Sequence, residues 1–204
     1  MPSTTLHRPS VPQVLVDAIE NRIVANCYNK MMNKSTLYIM CGLPYSGKTT
    51  IGKKIADHVN AQMIAFDWIW AKEKPTLIPD IDKVEEWRAV LKVAHERIKV
   101  ALESNESVVY DDVNQTCDQR EVLRQIANDG NSAFVIVYLN TPLGTIRDRE
   151  AKNRLSKERH QVASVNFEKA LKYWETPVDE KDVAEFKPEM DVDEWIRDKL
   201  PPGA

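Results

Sequence analysis

Uninterrupted apolar runs alternate along this 204-residue chain with stretches whose apolar residues recur every three or four positions. The first run, Leu37-Tyr38-Ile39-Met40-Cys41, reads as a strand covered on both faces, and so do residues 61–66, 107–110 and 133–139. Residues 184–186 suit a short last strand. Between the runs, helical spacing joins Ile51, Ile55 and Val59, then Val84, Trp87, Leu91, Ala94, Ile98 and Ala101. Further helices are predicted over 117–128, closed by Asp129-Gly130, from Thr141-Pro142 onward, over 156–174 and over 192–200. Strands and helices in alternation imply an α/β fold: a three-layer αβα sandwich on a mostly parallel sheet with right-handed crossovers.

This main domain is expected over 37–204. Residues 1–36 precede it as a helical extension, in which Val14, Leu15, Ala18, Ile19, Ile23 and Val24 form an apolar stripe. Two readings of the stripe stand: cover for the main domain, or a contact that makes a homodimer.

The first strand runs into Gly42-Leu43-Pro44-Tyr45-Ser46-Gly47-Lys48-Thr49, which fits G-x-x-x-x-G-K-[ST] at every fixed position. The two glycines allow a tight turn whose N–H groups face inward as an anion nest. The helix behind the nest, from Thr49 and Thr50, adds its positive end. Lys48 is suited to the β- and γ-phosphates and the Thr49 hydroxyl to Mg²⁺. Gly42 to Thr50 are therefore the expected nucleotide-binding residues of a P-loop NTPase.

In a parallel sheet ligands bind beyond the carboxyl ends of the strands. The first three predicted strands end at Gly42, Asp67 and Asp111-Asp112. Asp67 is placed to take the proton of an attacking hydroxyl, although Asp is also a favoured helix cap. One of Asp111 and Asp112 should face the metal, because adjacent strand residues point to opposite faces; Asp112 is the expected ligand beside Thr49. Trp68 and Trp70 offer either core or an apolar wall for an acceptor, and Asn114 adds a polar group at the same rim. Arg147, Arg149, Lys152, Arg154, Lys157 and Arg159 follow the fourth strand. They read as a solvated helix face or as a helical lid, about 147–175, whose guanidinium groups neutralise a transferring phosphoryl group.

Composition narrows the picture a little. Lys and Arg number 28 against 31 Asp and Glu, a net charge of −3, so no overall basic field draws the chain to nucleic acid or to anionic lipid. Three scattered cysteines without a C-x-x-C pair argue against a disulfide framework or a zinc site. The polar, Pro-containing start does not read as a signal peptide and no apolar run has the length of a membrane span, so a cytoplasmic setting is expected.

Together GLPYSGKT, Asp67, VVYDDVNQTCDQR and YLNTPLGTIRDREAKNR, followed by YWETPVDE, resemble the small P-loop kinases that include polynucleotide kinases, zeta-toxin-like kinases, gluconate kinase and chloramphenicol phosphotransferase. The likeness runs over about residues 37–183. It implies transfer of the ATP γ-phosphate, with Mg²⁺, to a hydroxyl. It also implies catalytic roles for Asp67, Lys48, Arg149 and Arg154, nucleotide contact by Arg149, and acceptor contacts from Trp68, Trp70, Asp112, Asn114 and Arg120. Two departures stand out: Tyr45 where these kinases often carry Gly, and Trp70 where phage-type polynucleotide kinases carry Arg. The first expectation is therefore a small-molecule or nucleoside acceptor. A 5′-hydroxyl or modified base of nucleic acid is the alternative, and a slowly turning nucleotide switch a further one.

Overall fold

The computed structural model describes residues 34–73, 83–156, 162 and 164–200. The chain divides into two units, Met1–Asn33 and Lys34–Ala204, and the described residues all belong to the second unit. The apolar stripe expected over residues 14–24 lies outside the described residues, as does the homodimer contact drawn from it.

In the second unit five strands form one sheet: β1 (Thr36–Cys41), β2 (Gln62–Ala65), β3 (Val108–Asp111), β4 (Ala133–Leu139) and β5 (Val183–Phe186). Their order is β2-β3-β1-β4-β5 and every neighbouring pair is parallel. The helices are α1 (Lys48–Val59), α2 (Lys83–Glu103), α3 (Cys117–Asp129), α4 (Leu143–Ser156), α5 (Ser164–Lys172) and α6 (Val192–Lys199).

All six residues of β1 are buried, as a central strand between two covered faces requires. Leu37, Ile39 and Cys41 pack on one side with Ala94 and Ile98 of α2 and Leu123 and Ile126 of α3. Tyr38 and Met40 pack on the other with Ile51 and Ile55 of α1 and Trp195 and Ile196 of α6. The chain leaving β1 therefore turns to one face, and the chain leaving the adjacent β3 turns to the opposite face. A crevice opens between the carboxyl ends of such a pair, the usual place for a ligand in an open α/β sheet.

Local signals account for most element ends. Thr116 caps α3 with its side chain on Gln119 N–H while the Gln119 side chain returns to the Thr116 N–H, a complete capping box. Asp191 caps α6 through Glu194 N–H at 2.8 Å. Two expectations shift. The buried stripe of α2 runs through Val90, Ala94, Ile98, Ala101 and Leu102, leaving Val84 exposed and Trp87 at its edge with its ring tilted against Phe66 at 6.2 Å, because the stripe follows the sheet and not the first apolar residues of the helix. Strand β2 stops at Ala65, and Phe66–Trp68 already form a helical turn that passes into a π-helical turn over Ile69–Glu73.

Candidate active site

β1 delivers the chain to Gly42, where a Cβ would stand 2.7 Å from Ser46 Oγ and 3.3 Å from Leu139 Cβ. Only glycine lets the loop close that tightly. Tyr45 (φ 65°) and Gly47 (φ 110°) take left-handed backbone, which curls the loop into the concave arrangement that holds anions. The first N–H groups of α1 have no intrahelical carbonyl to reach. Those of Thr50 and Ile51 return to Gly47 O at 3.1 Å each.

Lys48 Nζ donates to Gly42 O (2.9 Å) and Leu43 O (3.0 Å), holding its ammonium over the loop. Burial lowers the Lys48 pKa, and the carboxylates of Asp111, Asp112 and Asp67 oppose that shift. The three acids that end or follow β2 and β3 thus bear on one cation.

The two neighbouring acids of β3 have separate partners. Thr49 Oγ1 donates to Asp111 Oδ2 at 2.7 Å. Asp112 accepts from Val113 N–H (2.7 Å) and from Tyr110 Oη (3.1 Å). The Thr49 hydroxyl thus meets Asp111, whereas the sequence reading pairs it with Asp112. The signal was in the strand: Val109 packs on the face of α1, and Asp111, two residues on, shares that face with Thr49. Burial raises the Asp111 pKa against the pull of Lys48 and the Thr49 bond. Burial also lifts Asp112, to about 6, against its bond from Val113 N–H. A hydroxyl and a carboxylate oxygen suit a small hard cation that keeps most of its shell as water and phosphate oxygen, as Mg²⁺ does. Among the described residues no group of three or more His, Cys, Asp or Glu forms a protein-built metal cage.

Two expected acceptor residues face the wrong way. Asn114 is buried, with φ 47°, and its Nδ2 donates to Met40 O at 2.7 Å, closing the end of β1. Arg120 is 1% exposed; its Nε and Nη2 bond Glu180 Oε1 and its Nη1 donates to Asn114 O at 2.8 Å. Both hold the scaffold together beneath the crevice, and their acceptor role is withdrawn.

The lid arginines divide as well. Arg149 Nη1 donates to Ser46 O (2.9 Å) and Tyr45 O (3.2 Å), against the phosphate loop. Thr141 Oγ1 reaches the same Ser46 carbonyl at 3.1 Å. Arg154 pairs with Glu150 of its own helix at 2.8 Å and is exposed. Five residues separate the two arginines, about 140° around a helix, so both cannot face the loop. Of the two arginines expected to be catalytic, Arg149 is the one that meets the phosphate loop. Arg147 turns to α5, bonding Glu168 at 3.3 Å and lying 5.4 Å over the Phe167 ring. The tryptophans separate too: Trp70 stacks on Phe66 at 6.0 Å and packs against the core, whereas Trp68 beside Asp67 is 57% exposed. Asp67 itself is exposed on the helical turn.

Sequence comparison meets this geometry in one place. A family model described as an AAA domain matches residues 37–177, from β1 to the start of the 3₁₀ turn beyond α5. The chain belongs to this family, as a P-loop kinase domain. The L-seryl-tRNA(Sec) kinase of Methanococcus maripaludis is 29% identical over 155 residues, covering 69% of this chain and 56% of that protein. The chain thus spans just over half the length of that relative. Among solved structures, Chaetomium thermophilum Kti12 in complex with ADP-AlF3 superposes with a TM-score of 0.65 at 17% identity, over 82% of this chain and 99% of that one. A sugar kinase from Janibacter gives 0.60 at 20%, over 82% and 92%. The Mycobacterium tuberculosis APS kinase CysC in complex with AMPPNP and APS gives 0.60 at 16%, over 81% and 95%. At these identities the structural likeness establishes the fold, a P-loop three-layer α/β sandwich. No described helix of the P-loop domain is long and apolar enough to cross a membrane.

Proposed function

We propose that this chain is an ATP-dependent kinase that moves the γ-phosphate to a hydroxyl group. The observation that carries the reading is the Thr49–Asp111 bond beside Lys48, with Asp67 close enough for its charge to act on Lys48, Asp111 and Asp112. Asp67 accepts the proton of the acceptor hydroxyl as its oxygen attacks the γ-phosphorus. The new P–O bond forms as the bond to the β–γ bridging oxygen breaks, and ADP leaves with that electron pair. Lys48 and Arg149 neutralise charge on the phosphoryl oxygens. Thr49 and Asp111 would hold Mg²⁺, which supplies further charge neutralisation when bound.

A small molecule or nucleoside is the first acceptor class, in keeping with the acidic net charge and the core packing of Trp70. A hydroxyl carried on nucleic acid is the second. The relative named as a kinase of seryl-tRNA favours it, as does the exposed Trp68 ring beside Asp67, since bases stack on such rings.

The test follows γ-label from ATP with Mg²⁺ into a metabolite and nucleoside panel, into 5′-hydroxyl and modified oligonucleotides and tRNA, and into water. Label in the first pool supports the small-molecule reading, and label in the second the nucleic-acid reading. Label released only as phosphate, at a rate that Asp67→Asn leaves unchanged, overturns the kinase and favours a nucleotide switch.

A further inference from the structure

Tyr45 occupies a loop position whose motif places no demand on the side chain, and it takes left-handed backbone (φ 65°) that a bulky residue rarely adopts. Glycine would serve the loop there without strain. The tyrosine side chain makes two contacts that glycine could not make, and its backbone makes a third that any residue would. Its hydroxyl accepts from Val162 N–H at 3.1 Å, ahead of α5. Its ring meets the Phe167 ring of α5, centroids 6.3 Å apart and tilted by 54°. Its carbonyl, next to that of Ser46, accepts from Arg149 of α4.

The two helices it touches are joined to each other. Arg147 of α4 bonds Glu168 of α5 and lies over Phe167, a side chain 1% exposed. α4 and α5 therefore reach the phosphate loop as a pair, with Phe167 between Tyr45 and Arg147. Arg149 spends one nitrogen on the loop carbonyls, and a guanidinium has five N–H donors in a fixed fork. Its remaining donors point according to where the helix pair sits on the loop.

We infer that Tyr45 is a positioning residue for phosphoryl transfer, docking the α4–α5 pair on the phosphate loop so that the Arg149 guanidinium is held at the transferring group. The inference rests on the kinase reading. Tyr45 itself touches no reacting atom; it acts through Arg149.

The experiment measures binding of ADP and of ADP with aluminium fluoride, both with Mg²⁺, to the full chain and to Tyr45→Phe, Tyr45→Gly, Arg149→Ala and the Tyr45→Gly/Arg149→Ala double variant. ADP–aluminium fluoride mimics the transferring phosphoryl group, so a rightly placed arginine strengthens it over ADP alone. Arg149→Ala should lose on the order of 10-fold or more of that preference. Tyr45→Gly should lose a similar factor while ADP affinity stays within about twofold, since the loop nest and Lys48 are intact. Relief of the left-handed strain offsets part of the lost ring and hydrogen-bond contacts, so the variant should stay folded, with cooperative melting well above the assay temperature. Tyr45→Phe keeps the ring contact and should lose about threefold, roughly the worth of one neutral hydrogen bond. The double variant should be no worse than Arg149→Ala, the signature of two residues acting through one contact. Full preference in Tyr45→Gly alongside its loss in Arg149→Ala overturns the role of Tyr45. Additive losses overturn it equally, since they mean independent action. Full preference in Arg149→Ala removes the arginine itself from phosphoryl transfer, and the inference falls with that part of the kinase reading.

Discussion

The phosphate loop and the junction between β3 and α3 both read from sequence as polar chemistry at a strand end, but the side chains of the junction divide between the crevice and the scaffold. In the loop, Gly42 closes the turn, Lys48 lies over the loop carbonyls and Thr49 bonds Asp111. At the junction, Asn114 and Arg120 turn inward to bond Met40 O, Asn114 O and Glu180, and only Asp111 and Asp112 remain on the Lys48 side. The end of a buried parallel strand must satisfy its own carbonyls and turn the chain, and this takes the same residue types that bind substrates. Polarity at a strand end is therefore weak grounds for a binding role unless backbone geometry is also specified.

Separating the roles by substitution sharpens this contrast. The largest effect on stability should come from Glu180→Gln, which leaves the buried Arg120 guanidinium without its charge partner. A loss of about 3–5 kcal/mol is expected in denaturant unfolding, with nucleotide affinity unchanged wherever the protein remains folded. If Glu180→Gln instead weakened acceptor phosphorylation at full stability, Arg120 would belong to the substrate site after all. Asp111→Asn should do the reverse: little change in unfolding, and turnover down by on the order of 100-fold, the cost of one misplaced charge-stabilising group. Asp112→Asn should reduce turnover far less, and equal losses in the two variants would remove the distinction between these neighbours. Asn114→Ala comes next, at about 1–3 kcal/mol of stability for the unmet Met40 carbonyl.

The smallest effect concerns His95 of α2, whose ring meets the Tyr110 ring edge-on at 6.3 Å. Burial holds its pKa below the ordinary 6.5. The unfolded chain then takes up this proton more readily than the folded one, so the His95 contribution is intact above about pH 6.5 and is lost as pH falls through the lower folded value. The melting temperature of His95→Gln minus that of the natural chain should therefore rise as pH falls from about 7.5 to 5. A flat or falling difference would contradict it.

Much of the fold was legible because its signals are local. The apolar runs of β1 and β4 leave little choice of element, and the 3.6-residue stripes orient α1 and α3. The phosphate loop was legible because backbone closure demands glycine at Gly42 and Gly47. What escaped depends on contacts far apart in sequence. Asp111, not Asp112, bonds Thr49 because Val109 lies on the face that carries α1, a fact supplied only once the helix is packed. The inward turn of Arg120 depends on Glu180, 60 residues away. The division of Arg149 from Arg154 was within reach, since helical geometry alone separates them. The Tyr45 contact with Val162 spans 117 residues and had no counterpart in any local pattern.

The claim on which the account turns is that Asp67 acts on the acceptor hydroxyl and not on nucleotide binding. The direct measurement compares the natural chain with Asp67→Asn, using the acceptor that takes label from γ-labelled ATP and, in parallel, ATP affinity at equilibrium. The account expects transfer to the acceptor to fall by on the order of 100-fold or more while ATP affinity changes by less than about threefold. Undiminished transfer in Asp67→Asn, or a loss of transfer matched by a loss of ATP binding, would contradict it.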